Sequence, residues 1–429
     1  RCACGRELPR VRAQSRTTRL MRRVVITGRG VVSPLGNTMG EAFNAARLGC
    51  SAVSPLRGEI AKRLLAPLAA TAEFDAQTHF DPARLRMLDR SSQFAIVAAR
   101  SALSEAQLEP NAAESDRVGV FVGTGMGGSL SMDEGYQTLY GEQSDRIKPM
   151  LVLMGMHDAS AAWIAMEHAF CGPSLTYSTA CSSSAVALGE AWLRIARGEL
   201  LAAVAGGAEA PLSLGSLKAW EALHTLAKID PTCASASCKP FSRDRSGMVL
   251  GEGSAIVVLE DRERALARGA QIYGELLGYG LTTDTSHITR PSVPGQAAAM
   301  RAALASAQLQ PADIDSISAH GTGTQANDVT ETAAIKEVFG ARAKHIPISA
   351  TKSVHGHLIG AAGALEFVLS IEALRCGIAL PTMHLQTSDP ACDLDYVPNS
   401  ARPNAAGRTM LSNSFAFGGT NAVLAFRSP

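Results

Sequence analysis

At 429 residues, 46% apolar and only 18% charged, with 39 glycines, this chain suits a large compact α/β unit or two to three domains, and excludes a disordered polypeptide. A net charge of +1 gives no reason to expect nucleic acid or a membrane surface as a bulk partner, and apolar runs such as Leu200–Ala208 are too short to span a bilayer. Nine scattered cysteines without framework spacing point to reduced thiols and a cytoplasmic protein; neither Cys2/Cys4 nor Cys233/Cys238 has a matching Cys/His pair, so no metal is expected.

Residues 1–20 carry six arginines, one glutamate and no apolar core, unlike a secretory signal. They resemble a transit peptide in composition. We expect a disordered extension, with Met21 the better candidate for the start. From there strands and helices alternate. Arg23–Ser33 reads as a strand entering a Gly/Pro turn, Glu41–Leu48 and Asp89–Leu103 as helices, and Val118–Gly123 as a buried strand feeding the glycine-rich Gly123–Gly128. Ser160–His168 is helical. Leu175–Thr179 alternates like a strand, then gives way to a helical pattern up to Arg197. Leu200–Ala208 is a second buried strand, and Met248–Glu260 a third, broken by Gly251 and Gly253. Asp261–Arg268 is a short helix before a strand around Ile272–Gly280. In the remainder, helices are predicted over Ala297–Ala307, Val329–Phe339 and Gly360–Leu374. Extended segments are predicted over Ile314–Ala319, Ile346–Ala350, Thr409–Ser414 and Ala422–Phe426. Such alternation implies a mostly parallel sheet covered on both faces.

A weak duplication links strand plus Gly-Thr-Gly at Val118–Gly125 with strand plus His-Gly-Thr-Gly at Ile317–Gly323. In each half an extended, serine-containing segment later becomes a Gly/Ala-rich helix, Tyr177–Ala196 and Ile348–Ala373. Two α/β halves, 21–275 and 276–429, would place their loop ends at one crevice. Cys181 sits at the strand-to-helix change of the first half, where the helix dipole and unpaired N–H groups should favour a thiolate and hold an oxyanion. His320 and His357 lie on second-half loops. Glu366, inside a helix, should meet a cation, with Lys352 the candidate. Gly123–Gly128 lacks the helix–strand unit and acidic residue of a dinucleotide site. A thiol and two imidazoles on opposing loops favour acyl transfer through a thioester.

With those motifs assembled, Thr179–Ser184, Ala319–Thr324, Lys352–Gly363 and Asn413–Asn421 together resemble the β-ketoacyl-[acyl-carrier-protein] synthases, most of all the type II elongating enzymes; Pro240, Phe241, Asp244, Arg245 and Gly251–Gly253 also match. The resemblance implies a thiolase-like αβαβα layered sandwich of two similar halves, catalytic Cys181, His320 and His357, and supporting Lys352, Glu366 and Phe417. It further implies substrate contacts at Thr322, Thr324 and Met126, no cofactor beyond the carrier's phosphopantetheine, and an acyl carrier protein as partner. Phe417 would gate the pocket, and its N–H with that of Cys181 would form the acyl oxyanion hole. Assembly as a homodimer or a close heterodimer is implied too.

The implied reaction is decarboxylating condensation of an acyl group on Cys181 with malonyl carrier protein, as in fatty-acid elongation. Three positions depart from the pattern. Ser182–Ser184 look more like polyketide synthases, Ala416 replaces a usual glycine, and Met248 a common phenylalanine. They favour, as alternative, a polyketide or aryl-polyene ketosynthase. A non-catalytic chain-length subunit and a cysteine hydrolase are rivals from other classes; the intact Cys/His/His set speaks against the first, and the absence of a placed Asn or Asp against the second.

Overall fold

The computed structural model describes residues 21–109 and 114–429, so the expected extension over 1–20 lies outside the described residues. Ten strands among them form the main sheet: β1 (Val24–Val32), β2 (Val118–Gly123), β3 (Ser174–Tyr177), β4 (Ala202–Glu209), β5 (Gly253–Asp261), β6 (Gly274–Thr283), β7 (Ser316–Ser318), β8 (Ile348–Ser349), β9 (Thr409–Phe415) and β10 (Thr420–Arg427). Their order is β8-β7-β9-β10-β6-β1-β5-β4-β2-β3. Outward from the antiparallel β1–β6 contact, the first half runs β1-β5-β4-β2-β3 and the second β6-β10-β9-β7-β8. The pairing senses repeat as well: antiparallel, antiparallel, parallel, parallel on each side. The faint sequence duplication is thus a full topological repeat. It also corrects the expectation of a mostly parallel sheet. Only the outer pairings, where helices cross between strands, are parallel; the centre is antiparallel, with β9 and β10 joined by a short turn.

Alternation along the strands divides their side chains between layers. Val118, Val120, Val122, Val204 and Val258 pack outward on α1 (Arg90–Ala106), whereas Phe121, Ala203, Ala205 and Val257 face inward. That inner face holds α2 (Ser183–Ala196) and α5 (Ala362–Cys376), two helices that open on Ser, Ala and Gly residues. On the far side, Ile317, Leu411, Val423 and Ala425 pack on α3 (Val293–Ala307) and α4 (Gln325–Phe339). The result is a five-layer αβαβα sandwich, as expected. A helix buried on all sides carries no amphipathic stripe, and α5 is buried at almost every position from Ala362 to Leu374.

Local outcomes differ from expectation where polar residues begin a helix. Asp89 caps α1 through its side chain, and Thr324 caps α4, which begins at Gln325, four residues before the predicted start. The segment around Gly251 is not a broken strand: β5 begins at Gly253, and Leu250 instead bridges to His357. Helices Ser129–Tyr136, Leu151–Gly155 and Leu214–Ala222 have no counterpart among the predicted elements.

Candidate functional site

β3 ends at Tyr177, and one tight turn, Ala180–Ser182, connects it to α2. Ala180 has φ 49, a left-handed conformation that costs a residue bearing a Cβ about 1–2 kcal/mol. The three serines hold this turn. Ser183 Oγ accepts from Thr179 N–H at 2.9 Å and donates to Ala180 O at 2.6 Å, while Ser182 Oγ donates to Thr179 O at 2.9 Å. Ser184 Oγ accepts the Ala364 N–H of the other half at 2.9 Å. All three are fully buried, and their hydroxyls fasten the turn that carries Cys181 and its contact with the other half. Gly123 is required beneath it, since a Cβ there would sit 2.3 Å from the Ser184 nitrogen.

The structure brings Cys181, His320 and His357 together. The sulfur and one ring nitrogen of each histidine lie within 4.8 Å of one another, and the two rings stand edge-to-face at 5.5 Å and 82°. The Ile359 N–H reaches back 3.0 Å to His357 Nδ1, which must then be the acceptor nitrogen. The neutral ring therefore carries its proton on Nε2, a buried atom without a partner among the described residues. Lys352 Nζ lies 3.3 Å from His320 Nδ1 and makes the same assignment there. Burial first, then the Lys352 charge, holds both histidines well below their ordinary range. Two neutral imidazoles thus present Nε2–H donors.

Lys352 is completely buried and donates to Glu366 Oε1 at 2.5 Å and to His320 O at 2.7 Å, so the expected ion pair is present. Burial pushes the Glu366 carboxyl up to about 7 against the pull of that ammonium. Sequence reasoning missed two other buried carboxylates. Glu331 accepts the N–H groups of His320 at 2.8 Å and Gly321 at 2.9 Å, together with Asn413 Nδ2 at 3.1 Å. Glu209, at the end of β4, accepts N–H groups from Gly125, Met126 and Gly360. Glu209 acts on segments far from it in sequence, which no spacing marks, whereas Glu331 stands on the helix that directly follows the His320–Gly321 loop it holds. Arg245, noted in sequence, is buried between Asp389 at 2.6 Å and Asp328 at 3.6 Å.

The expected thiolate is corrected. Cys181 is 5% exposed, and burial pushes its thiol up to about 12 although Lys352 and the Phe417 N–H pull it down. Desolvation of the anion outweighs the helix terminus here. Alkylation of Cys181, read by mass spectrometry of its peptide, should therefore rise about tenfold per pH unit across the neutral range. A plateau at or below the ordinary cysteine value of 9.0 would contradict this.

Cys181, His320, His357, Thr322, Thr324 and Phe417 line one cleft, with Met248 and Ala416 also on its wall. Thr322 and Thr324 share a hydroxyl–hydroxyl contact of 2.9 Å. Phe417 stacks on Trp220 at 6.1 Å, and the Trp220 indole N–H points to Met126 Sδ at 3.5 Å, so Trp220 links Met126 to Phe417. Ala416 is extended (φ −119, ψ 153), a conformation open to any residue, so its Cβ imposes no strain; the positive φ values fall on Gly418 and Gly419.

Comparison with known proteins shows the family. Residues 21–265 match the family model "Beta-ketoacyl synthase, N-terminal domain" and residues 273–386 match "Beta-ketoacyl synthase, C-terminal domain". The chain is 38% identical to 3-oxoacyl-[acyl-carrier-protein] synthase 2 of Staphylococcus aureus (strain COL), over 95% of this chain and 98% of that one. It is 42% identical to nodulation protein E of Rhizobium meliloti (strain 1021), over 95% and 99%. Among solved structures it resembles a type II polyketide synthase acyl-carrier protein in complex with its ketosynthase bound to the hexaketide, with TM-score 0.87 and 33% identity over 95% of this chain and 100% of that one.

Proposed function

This chain belongs to the β-ketoacyl synthase family, and from that premise we propose that it elongates a carrier-bound acyl chain by decarboxylating Claisen condensation, as in fatty-acid synthesis. Members of the family are acyltransferases that form C–C bonds. The observation that carries the finer reading is the convergence of one buried thiol with a ring nitrogen of each of two buried histidines that burial and Lys352 keep neutral. Cys181 attacks the thioester of the acyl carrier protein, and the released phosphopantetheine thiol takes up the proton that the cysteine gives up. The N–H groups of Cys181 and Phe417 hold the oxyanion of that step. Malonyl carrier protein then enters. Its C–CO2 bond breaks, CO2 leaves, and the electron pair becomes an enolate whose oxygen accepts from His320 and His357. The enolate carbon attacks the acyl carbonyl, the new C–C bond forms, and the Cys181 sulfur departs and takes up a proton from solvent, the one proton consumed per turnover. Neutral donors suit an enolate because they stabilise charge that appears only after decarboxylation.

The same three residues have the spacing of a metal site. We assign them to thioester chemistry, because the buried Lys352 ammonium beside them opposes a dication, and we infer that no metal or cofactor beyond the carrier's phosphopantetheine takes part. We further infer that Lys352, Glu366 and Phe417 support the reaction, and that Thr322 and Thr324 contact the phosphopantetheine arm. No helix among the described residues is long and apolar enough to cross a membrane; seven described cysteines are free, which fits the cytoplasm. β3 is a sheet edge with Leu175 exposed, and Met166 is exposed on the helix Ala159–His168 that packs against it, an arrangement that favours a second subunit.

The test is direct. Purified protein given acyl- and malonyl-carrier protein should release CO2 and form 3-oxoacyl-carrier protein, and light scattering should read a dimer. CO2 release and product without any dependence on the carrier, or no product at all, would overturn the reading. A polyketide or aryl-polyene role is the second reading, favoured by the similarity to a polyketide ketosynthase; preferential loading of unsaturated or oxidised acyl groups on Cys181 would select it.

A further inference from the structure

Glu209 lies at the tip of β4, completely buried, and none of the condensation steps uses it. One of its oxygens, Oε2, accepts from Gly125 N–H at 2.6 Å and from Gly360 N–H at 2.9 Å. The other, Oε1, accepts from Met126 N–H at 3.0 Å and Thr124 Oγ1 at 3.2 Å. The four donors come from both halves of the chain: Thr124, Gly125 and Met126 follow β2 in the first, while Gly360 precedes α5 in the second.

The loops of the two halves touch here. A Cβ on Gly360 would sit 2.3 Å from the Gly125 nitrogen, and one on Gly125 would sit 2.6 Å from Ile359 Cγ2. Ile359 is the residue whose N–H fixes the tautomer of His357, and it is held at φ 44, where a β-branched side chain is strained.

We propose that Glu209 is a positioning residue for the decarboxylation step: its carboxylate ties the Gly125–Met126 loop to the Ile359–Gly360 turn and so keeps His357 as an Nε2–H donor. This rests on the functional reading above. A carboxylate is needed because both oxygens must accept. Glutamine would turn an NH2 group toward one pair of donors and leave that pair unsatisfied in a buried site. Glu209 also acts on the nucleophile through its charge, raising the Cys181 thiol while Lys352 lowers it.

Two variants separate geometry from charge in mildly alkaline buffer, above the Glu209 value of about 7. Glu209→Gln should slow malonyl decarboxylation by about tenfold or more, short of the ~10²–10³-fold loss of a donor outright. It should at the same time speed iodoacetamide alkylation of Cys181. Gly125→Ala, which pushes the loop away and keeps the carboxylate, should slow decarboxylation and leave alkylation unchanged. In both, ¹⁵N resonances of the His357 ring should show a smaller Nε2–H population than in the wild type. Equal slowing of both reactions in Glu209→Gln, or an unchanged His357 tautomer, would overturn the proposal. A wild-type protein that neither decarboxylates nor condenses would overturn the functional reading, while the ring resonances still decide the role of Glu209.

Discussion

Cys181→Ser should reduce condensation by about 10⁴-fold or more, the scale on which loss of a covalent nucleophile is felt. Serine fits the same space, and the turn that carries it is held by Ser182, Ser183 and Ser184 through contacts that do not involve the thiol. The variant should therefore fold as the parent does. Its hydroxyl, in a site that already pushes a thiol up to about 12, has no route to ionisation. Malonyl decarboxylation should survive, because His320 and His357 keep their tautomers through Lys352 and the Ile359 N–H. The measurement is paired: product formation by mass spectrometry of the carrier protein, and CO2 release. Unchanged condensation would remove Cys181 from the mechanism.

Lys352→Ala should be the most destabilising single change at the site. It removes a completely buried ammonium and leaves Glu366, 1% exposed, without its counter-charge. Breaking a buried pair from one side costs about 3–5 kcal/mol. The pH dependence has a definite sign. Burial raises the folded Glu366 value from 4.5 to about 7, so the folded state binds this proton more tightly than the unfolded chain. Its contribution is fully present below 4.5 and is lost as pH rises through about 7, and without the ammonium that loss should extend to higher pH. Activity should fall as well, because His320 Nδ1 loses the donor 3.3 Å away. Lys352→Met combined with Glu366→Leu should recover most of the stability and none of the activity. Denaturant unfolding at several pH values, with condensation assayed alongside, checks both halves. A double variant that regained condensation would show the pair to be structural only.

Much of the site is legible in the sequence because its chemistry is local there. Cys181 stands where β-alternation changes to helical spacing, and His320 and His357 stand beside glycines at element ends, so short windows locate all three. The Lys352–Glu366 pair follows from the cost of burying a carboxylate on a helix. The link from Met126 through Trp220 to Phe417 joins residues almost a hundred positions apart or more, and no short window shows it. Ser182–Ser184 suggest a choice of substrate by resemblance, yet their hydroxyls are occupied by the backbone of the turn and of the opposite half.

Residue types and their spacing determined the α/β class, the duplication and the three side chains that meet in the cleft, because periodicity and turn chemistry act over a few residues. Tertiary structure alone decided the protonation states. The thiol is raised by strands and loops that seal it from water, and each imidazole is neutral because burial and Lys352 outweigh its own basicity. It also decided the partners of Glu209, which arrive from distant segments of both halves, and the contact of Glu331 with Asn413. Desolvation depends on everything that packs around a group, and no window of sequence contains that sum.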